Sequence, residues 1–235
     1  MSQANNPLII ALDVDNADDA LRLIDKIGPA AEFYKVGMEL YAAAGMNLVK
    51  QIIASGRQVF LDLKLYDIGE TVKRATRQIC VSAAPSFLTI HGSRSVMQAA
   101  VEGRGDSATK LLAVTVLTSF DQDDLADLGY PSSIADLVDL RVRNARASGI
   151  NGIVCSPLEV KRVRSLAGPD MKLVIPGVRS AGADKGDQKR VATPAEAIQD
   201  GADYLVIGRQ VTRSTDPRSA CEQILSEIAA PVSAK

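Results

Sequence analysis

The sequence has little that would mark a metal centre, a redox site, a nucleic-acid binder or a membrane protein. Its 235 residues hold one histidine and three cysteines. A single histidine, His91, cannot supply both a Ser-His-Asp triad and a histidine-rich zinc site, and nothing near it in sequence builds either. It reads as a core or hydrogen-bonding residue. Cys80, Cys155 and Cys221 are odd in number, far apart and without CxxC spacing. Reduced, structural thiols in a cytosolic chain are expected. A net charge of −1 leaves no basic excess for a nucleic-acid partner, so any anion site must be local. No apolar stretch approaches the length of a membrane helix. The opening MSQANNPLIIALDVD lacks a basic leader region, and its apolar run is too short for a signal peptide. No GxGxxG or Walker pattern occurs, so no nucleotide cofactor is expected. These absences describe a soluble cytoplasmic protein with no nucleic-acid or membrane partner.

What is present is a regular alternation. Short apolar runs at Leu8–Asp13, Phe33–Val36, Gln58–Lys64, Phe87–His91, Leu111–Leu117, Gly152–Cys155, Lys172–Ile175 and Tyr204–Ile207 read as strands. Amphipathic segments such as DDALRLIDKIG and ETVKRATRQICVSAA lie between them. Strand–helix alternation implies a parallel sheet, and eight units imply one closed (β/α)8 TIM barrel, an α/β fold, over residues 1–235. SPLE at Ser156–Glu159 and TPAE at Thr193–Glu196 are capping boxes with proline at the first helical position. The polar, glycine-bearing stretch from Gly177 to Thr193 reads as a long functional loop after the seventh strand.

Charges gather at strand ends. In FLDLKLYDI, Phe60, Asp62 and Lys64 share one face, while Val59, Leu61 and Leu63 share the other. The apolar face should meet the helices, which turns the charged face into the barrel near its C-terminal mouth. Asp13 ends the first strand, and Lys35 lies near the end of the second. Charges converge on such a mouth only if paired or used. A lysine between carboxylates is favoured as the cation, a poor amine nucleophile but a good proton donor. The carboxylates repel any anionic group placed among them. Decarboxylation fits this array, and so do enolisation and aldol cleavage. After the eighth strand, Gly208 and Arg209 suit a phosphate, with Arg179 and Gln188 of the long loop able to close over it.

Together these motifs resemble the orotidine 5′-phosphate decarboxylase family over nearly the whole chain. The Asp-x-Lys-x-x-Asp pattern is Asp62, Lys64 and Asp67, followed by Ile68. Asp13 in ALDVD, Lys35 in YKVG and the late PGVRSAG…GDQKRVATPAEAIQDGADYLVIGR complete the likeness. The resemblance implies conversion of orotidine 5′-phosphate to UMP and carbon dioxide without metal or organic cofactor. It implies that Lys64 protonates C6 and that Asp62 stands against the substrate carboxylate, within a Lys-Asp-Lys-Asp array completed by Lys35 and Asp67. It further implies a homodimer in which Asp67 and Thr71 enter the partner's site. Asp13 and Lys35 would hold the ribose, Thr118 the pyrimidine, and Arg179, Gln188, Gly208 and Arg209 the phosphate, with Ile68 beside the substrate. Gly69-Glu70 stands where many members carry Pro-Asn, and Glu70 reads as a helix-start acid. The alternative is a metal-dependent sugar-phosphate lyase or aldolase of the same suprafamily. It would want an acidic metal ligand near the end of strand two, where this chain has Lys35.

Overall fold

The structure, a computed structural model, describes residues 6–180 and 192–230. Eight parallel strands close into a barrel in chain order. They are β1 (Leu8–Ala11), β2 (Phe33–Gly37), β3 (Gln58–Leu65), β4 (Phe87–His91), β5 (Lys110–Val114), β6 (Gly152–Val154), β7 (Lys172–Ile175) and β8 (Tyr204–Ile207). Helices α1 (Ala17–Ile27), α2 (Met38–Ala54), α3 (Gly69–Ser82) and α4 (Arg94–Arg104) follow the first four strands. Then come α5 (Gln122–Asp127), α6 (Ile134–Ala147), α7 (Val160–Ala167), α8 (Pro194–Gln199), α9 (Arg209–Thr212) and α10 (Pro217–Ala229).

The alternation of each strand separates two cores. Outward residues such as Leu8, Tyr34, Val59, Leu61 and Leu88 pack against the helices. Inward residues Ile9, Ala11, Phe33, Phe60, Phe87, Leu112, Val114, Val154, Val174 and Val206 fill the barrel. Aromatic rings plug its N-terminal end. Phe33 and Phe87 lie 5.0 Å apart, and Tyr204 meets both edge-on at 5.7 and 5.3 Å. Two residues farther along β2, β3 and β4, the same inward face turns polar. Phe33 leads to Lys35, Phe60 to Asp62 and Lys64, and Phe87 to Thr89. The barrel is therefore dry below and charged at its C-terminal mouth.

Two strands are shorter than the apolar runs suggested, by two residues or more, and β6 by one. β1 ends at Ala11, and β5 ends at Val114. Leu12 and Val116 are still buried, at 0% and 3% exposure. Both belong to the core shared with the helices, and inter-strand hydrogen bonds run one residue past each strand, from Leu12 N to Lys35 O at 3.0 Å and from Thr115 N to Val154 O at 3.1 Å. Asp13 is thus on a loop, two residues past its strand. Both capping boxes form. Ser156 caps a short 3-10 turn, Pro157–Glu159, that runs into α7, and Thr193 caps α8.

Gly103 shows how closely α3 and α4 pack. A Cβ there would lie 2.2 Å from the Lys73 carbonyl oxygen. Since α3 carries the end of the β3 loop, that spacing also sets where the loop starts. Gly103→Ala should destabilise the fold by about 1–3 kcal/mol through overpacking. Urea denaturation checks this, and an unchanged midpoint would refute the close approach.

Candidate active site

The mouth of the barrel carries a row of charges of alternating sign. Asp13 Oδ1 accepts a hydrogen bond from Lys35 Nζ at 3.0 Å. Lys35 Nζ lies 3.8 Å from Asp62 Oδ2. Lys64 Nζ donates to both oxygens of Asp62, each at 2.9 Å. Lys35 and Asp62 are the most shielded, with side chains 12% and 14% exposed. Carboxylates and ammoniums so shielded from water need such partners.

Local backbone makes this row possible. Leu61 pairs with Leu88 and Leu65 with Ile90, so three residues of β3 face Thr89 alone in β4. This bulge holds Asp62, Leu63 and Lys64. Lys64 has a φ of 49°, in the left-handed region, where a non-glycine residue costs about 1–2 kcal/mol. Its N–H finds no regular ladder carbonyl and donates to Thr89 Oγ1 at 2.9 Å, and that hydroxyl donates to Asp62 Oδ1 at 2.9 Å. Gly37 lies beside the Lys35 ammonium. A Cβ there would lie 2.8 Å from Lys35 Nζ, so the glycine leaves room for the ammonium.

Two cavities open on this row. One, of about 240 Å³, is lined by Lys35, Asp62, Lys64, Thr118, Pro176 and Val206, among others. The other, of about 550 Å³, includes Asp13, Lys35, Arg179, Gly208 and Arg209 in its wall. They share Lys35, Pro176 and Val206 and so form one trough. One end presents the Asp62–Lys64 pair and the other presents three arginines, Arg179, Arg209 and Arg213, with Asp13 and Lys35 between. Asp13, Lys35, Asp62, Lys64, Thr118, Arg179, Gly208 and Arg209 are thereby gathered as the sequence led us to expect. Gln188 lies outside the described residues. The long loop is described only at its ends, where Val178 pairs with Ala192 and Arg179 N donates to Ala192 O at 3.0 Å.

Asp67 does not join the row. Its carboxylate accepts from the Ile68 N–H at 2.6 Å and faces outward. Ile68 is 73% exposed and Tyr66 66%, and Thr71 is exposed on the first turn of α3. Three residues expected at a substrate site therefore stand on the surface of this chain.

Several supporting residues had no marked role in the sequence. Thr89 is the plainest. Gln210 accepts from Ser180 N at 3.2 Å and donates to Ser180 Oγ, which ties the start of the long loop to α9. Buried Arg141 donates to the Thr115 carbonyl and to Tyr130 Oη, which anchors the loop leading to Thr118. His91 shares a hydrogen bond with Ser93 and stacks on Tyr66 at 4.0 Å. The hydrogen-bonding role expected of it therefore holds.

Comparison with known proteins converges on one family. Residues 6–224 match the profile of the "Orotidine 5'-phosphate decarboxylase / HUMPS family". The chain is 51% identical over 222 residues to an orotidine 5′-phosphate decarboxylase of Rhodopseudomonas palustris (strain BisB5), covering 94% of each. It is 52% identical over 225 residues to one of Bradyrhizobium sp. (strain ORS 278), covering 96% of this chain and 92% of that protein. A crystal structure of orotidine 5′-phosphate decarboxylase from Lactobacillus acidophilus superposes with a TM-score of 0.84 at 35% identity. That match covers 96% of this chain and all of that one.

Burial, with a smaller push from the Arg141 guanidinium, lowers the His91 pKa from 6.5 to about 4. A depressed histidine pKa means that the unfolded chain binds more protons inside this window. Stability is then full above about pH 6.5 and is lost as pH falls toward 4. His91→Asn should flatten that loss, read as melting temperature at pH 7 and pH 5. Equal pH dependence in both proteins would remove His91 as its source.

Proposed function

Because the chain belongs to the orotidine 5′-phosphate decarboxylase / HUMPS family, its reaction is the conversion of orotidine 5′-phosphate to UMP and carbon dioxide, a step of pyrimidine biosynthesis, and we propose that Asp62 and Lys64 carry it. The observation that bears most on this reading is the trough. Its order, an acid–lysine pair, then Lys35 and Asp13, then three arginines, suits a base, a ribose and a phosphate in turn.

The chemistry follows from the charges. The substrate carboxylate lies against Asp62, and two unit negative charges about 4 Å apart repel by roughly 4 kcal/mol at an effective dielectric near 20. Breaking the bond to C6 releases neutral carbon dioxide and relieves that repulsion. The electron pair stays on C6, where the Lys64 ammonium first stabilises it and then gives it a proton. Solvent returns a proton to Lys64. Only interactions stronger in the transition state than in the ground state accelerate this step. Repulsion relieved and attraction gained both qualify. Arg179, Gly208, Arg209 and Gln188 grip the phosphate, and their binding energy holds the carboxylate in the repulsive position. Asp13 and Lys35 take the ribose hydroxyls, and Thr118 takes the pyrimidine.

The working unit is a homodimer. Within one chain the row holds two carboxylates, Asp13 and Asp62, and two ammoniums, Lys35 and Lys64. Asp67 from the second subunit adds the further negative charge, and Ile68 and Thr71 enter with it. The outward setting of Tyr66, Asp67 and Ile68 supports this arrangement, since exposed apolar side chains beside a charged mouth mark an interaction surface. Buried free thiols at Cys80, Cys155 and Cys221 suit the reducing cytoplasm.

The metal-dependent lyase finds no support. The curated relatives compared are named decarboxylases, and the Lys35 ammonium stands between Asp13 and Asp62, where that chemistry would want a divalent cation.

Lys64→Ala should lose at least about 1,000-fold in kcat, through loss of both the developing-charge partner and the proton donor. Arg209→Ala should chiefly raise KM. Loss of the orotidine 5′-phosphate absorbance in EDTA measures both, and a near-normal kcat for Lys64→Ala would defeat its assignment. Mixing inactive Lys64→Ala and Asp67→Ala proteins under subunit exchange should restore about a quarter of wild-type activity. Half of the random dimers are mixed, and each of these has one intact site. No recovery would mean that Asp67 serves its own chain.

A further inference from the structure

We infer that Thr89 is a positioning residue that sets the reactive geometry of Asp62 and Lys64 through a single hydroxyl. This rests on the reading of those two residues as the reacting pair. Thr89 is fully buried, at 0% exposure. Its hydroxyl carries one proton and two lone pairs. One lone pair accepts the Lys64 N–H at 2.9 Å, and the proton goes to Asp62 Oδ1 at 2.9 Å. The direction of both bonds is therefore fixed. A backbone amide can only donate, so the hydroxyl must accept there and is left to donate to the carboxylate.

The position of Thr89 in the sheet makes this role hard to replace. It is the one β4 residue facing the three-residue bulge of Asp62, Leu63 and Lys64. Without its oxygen, the Lys64 N–H loses its partner at the residue held in the left-handed region. Asp62 Oδ1 would then keep only the Lys64 ammonium. That ammonium is the group that must leave Asp62 and reach C6. With Thr89 in place, the carboxylate keeps a fixed neutral donor while Lys64 moves. Thr89 thus separates holding Asp62 from moving the proton. It does not line either cavity of the trough, so it acts on substrate only through its neighbours.

The test compares Thr89→Ser with Thr89→Ala, which differ by one oxygen. Thr89→Val, which keeps the shape, is a third variant. Lys64→Ala is run in parallel. Rates are expressed per UMP-binding site, so that misfolded protein is not counted. Thr89→Ala and Thr89→Val should lose roughly 100-fold in kcat, the scale of a small misplacement of reacting groups. UMP affinity should stay within about 3-fold, because the phosphate and ribose grips are untouched. Thr89→Ser should recover most of the rate. Equal rates for Thr89→Ser and Thr89→Ala, with Lys64→Ala inactive, would overturn this role alone. A parallel fall in UMP affinity and kcat would also overturn it, since general loosening would explain both. An active Lys64→Ala would instead overturn the reading on which it rests.

Discussion

The Asp62 carboxylate is the constraint around which the rest of the mouth is arranged. Its side chain is 14% exposed, and an anion so shielded must be compensated. Lys64 meets both oxygens, Thr89 donates to one, and Lys35 lies at 3.8 Å from the other. Each partner then needs support of its own. Lys35 is held by Asp13, and Gly37 leaves space for its ammonium. Lys64 needs a strained backbone and a hydroxyl from the next strand. These partners together fix where the Asp62 carboxylate stands in the mouth.

Such a mouth is costly for folding, and the barrel offsets it elsewhere. Its N-terminal half is closed by Phe33, Phe60, Phe87 and Tyr204, with ring centroids 5.0 to 6.0 Å apart. Also at that end, Asp203 is met by Arg164, by Lys172 at 3.0 Å and by the Leu173 N–H at 2.9 Å, which binds β7 to β8 and α7. These groups lie at strand starts, away from the trough. Stability and chemistry are thus divided between the two ends of the same strands, and two residues of strand separate one from the other.

This division explains what the sequence could tell. Alternation in FLDLKLYDI placed Asp62 and Lys64 inside and Leu61 and Leu63 outside, and the packing agrees. It also put Asp67 off that face. The eight strands were legible because each is a short apolar run set between amphipathic or polar segments. Strand ends were less clear at Leu12 and Val116, whose burial past the strand ends looks in sequence like more strand. Helix α5 is short and follows no strand directly, so only its start marks it in sequence, where Asp121 caps the helix and Asp124 in its first turn completes the capping box. Thr89 was hidden for a deeper reason. A register shift is a property of two strands, and neither β3 nor β4 alone carries a sign of it. Gln210 and Arg141 likewise act across elements distant in sequence.

The departure at Gly69-Glu70 falls where the structure has room for it. Gly69 is the first residue of α3, and it is not among the glycines of positive φ. A Cβ there would meet only Ala99 Cβ, at an ordinary 3.6 Å. Neither conformation nor space therefore demands glycine, and proline at a first helical position would sacrifice no helix hydrogen bond. Glu70 occupies the first turn, where the helix dipole favours an acid, and lies 3.6 Å from Arg74 one turn on. Both groups are well exposed, so the pair adds little to stability. Neither residue touches the Asp13–Lys35–Asp62–Lys64 row. The Ile68 carbonyl accepts from Val72 N at 3.1 Å, a backbone bond at the start of α3 that neither side chain supplies. The start of the helix, more than the residues that fill it, carries Asp67 and Thr71 to their positions.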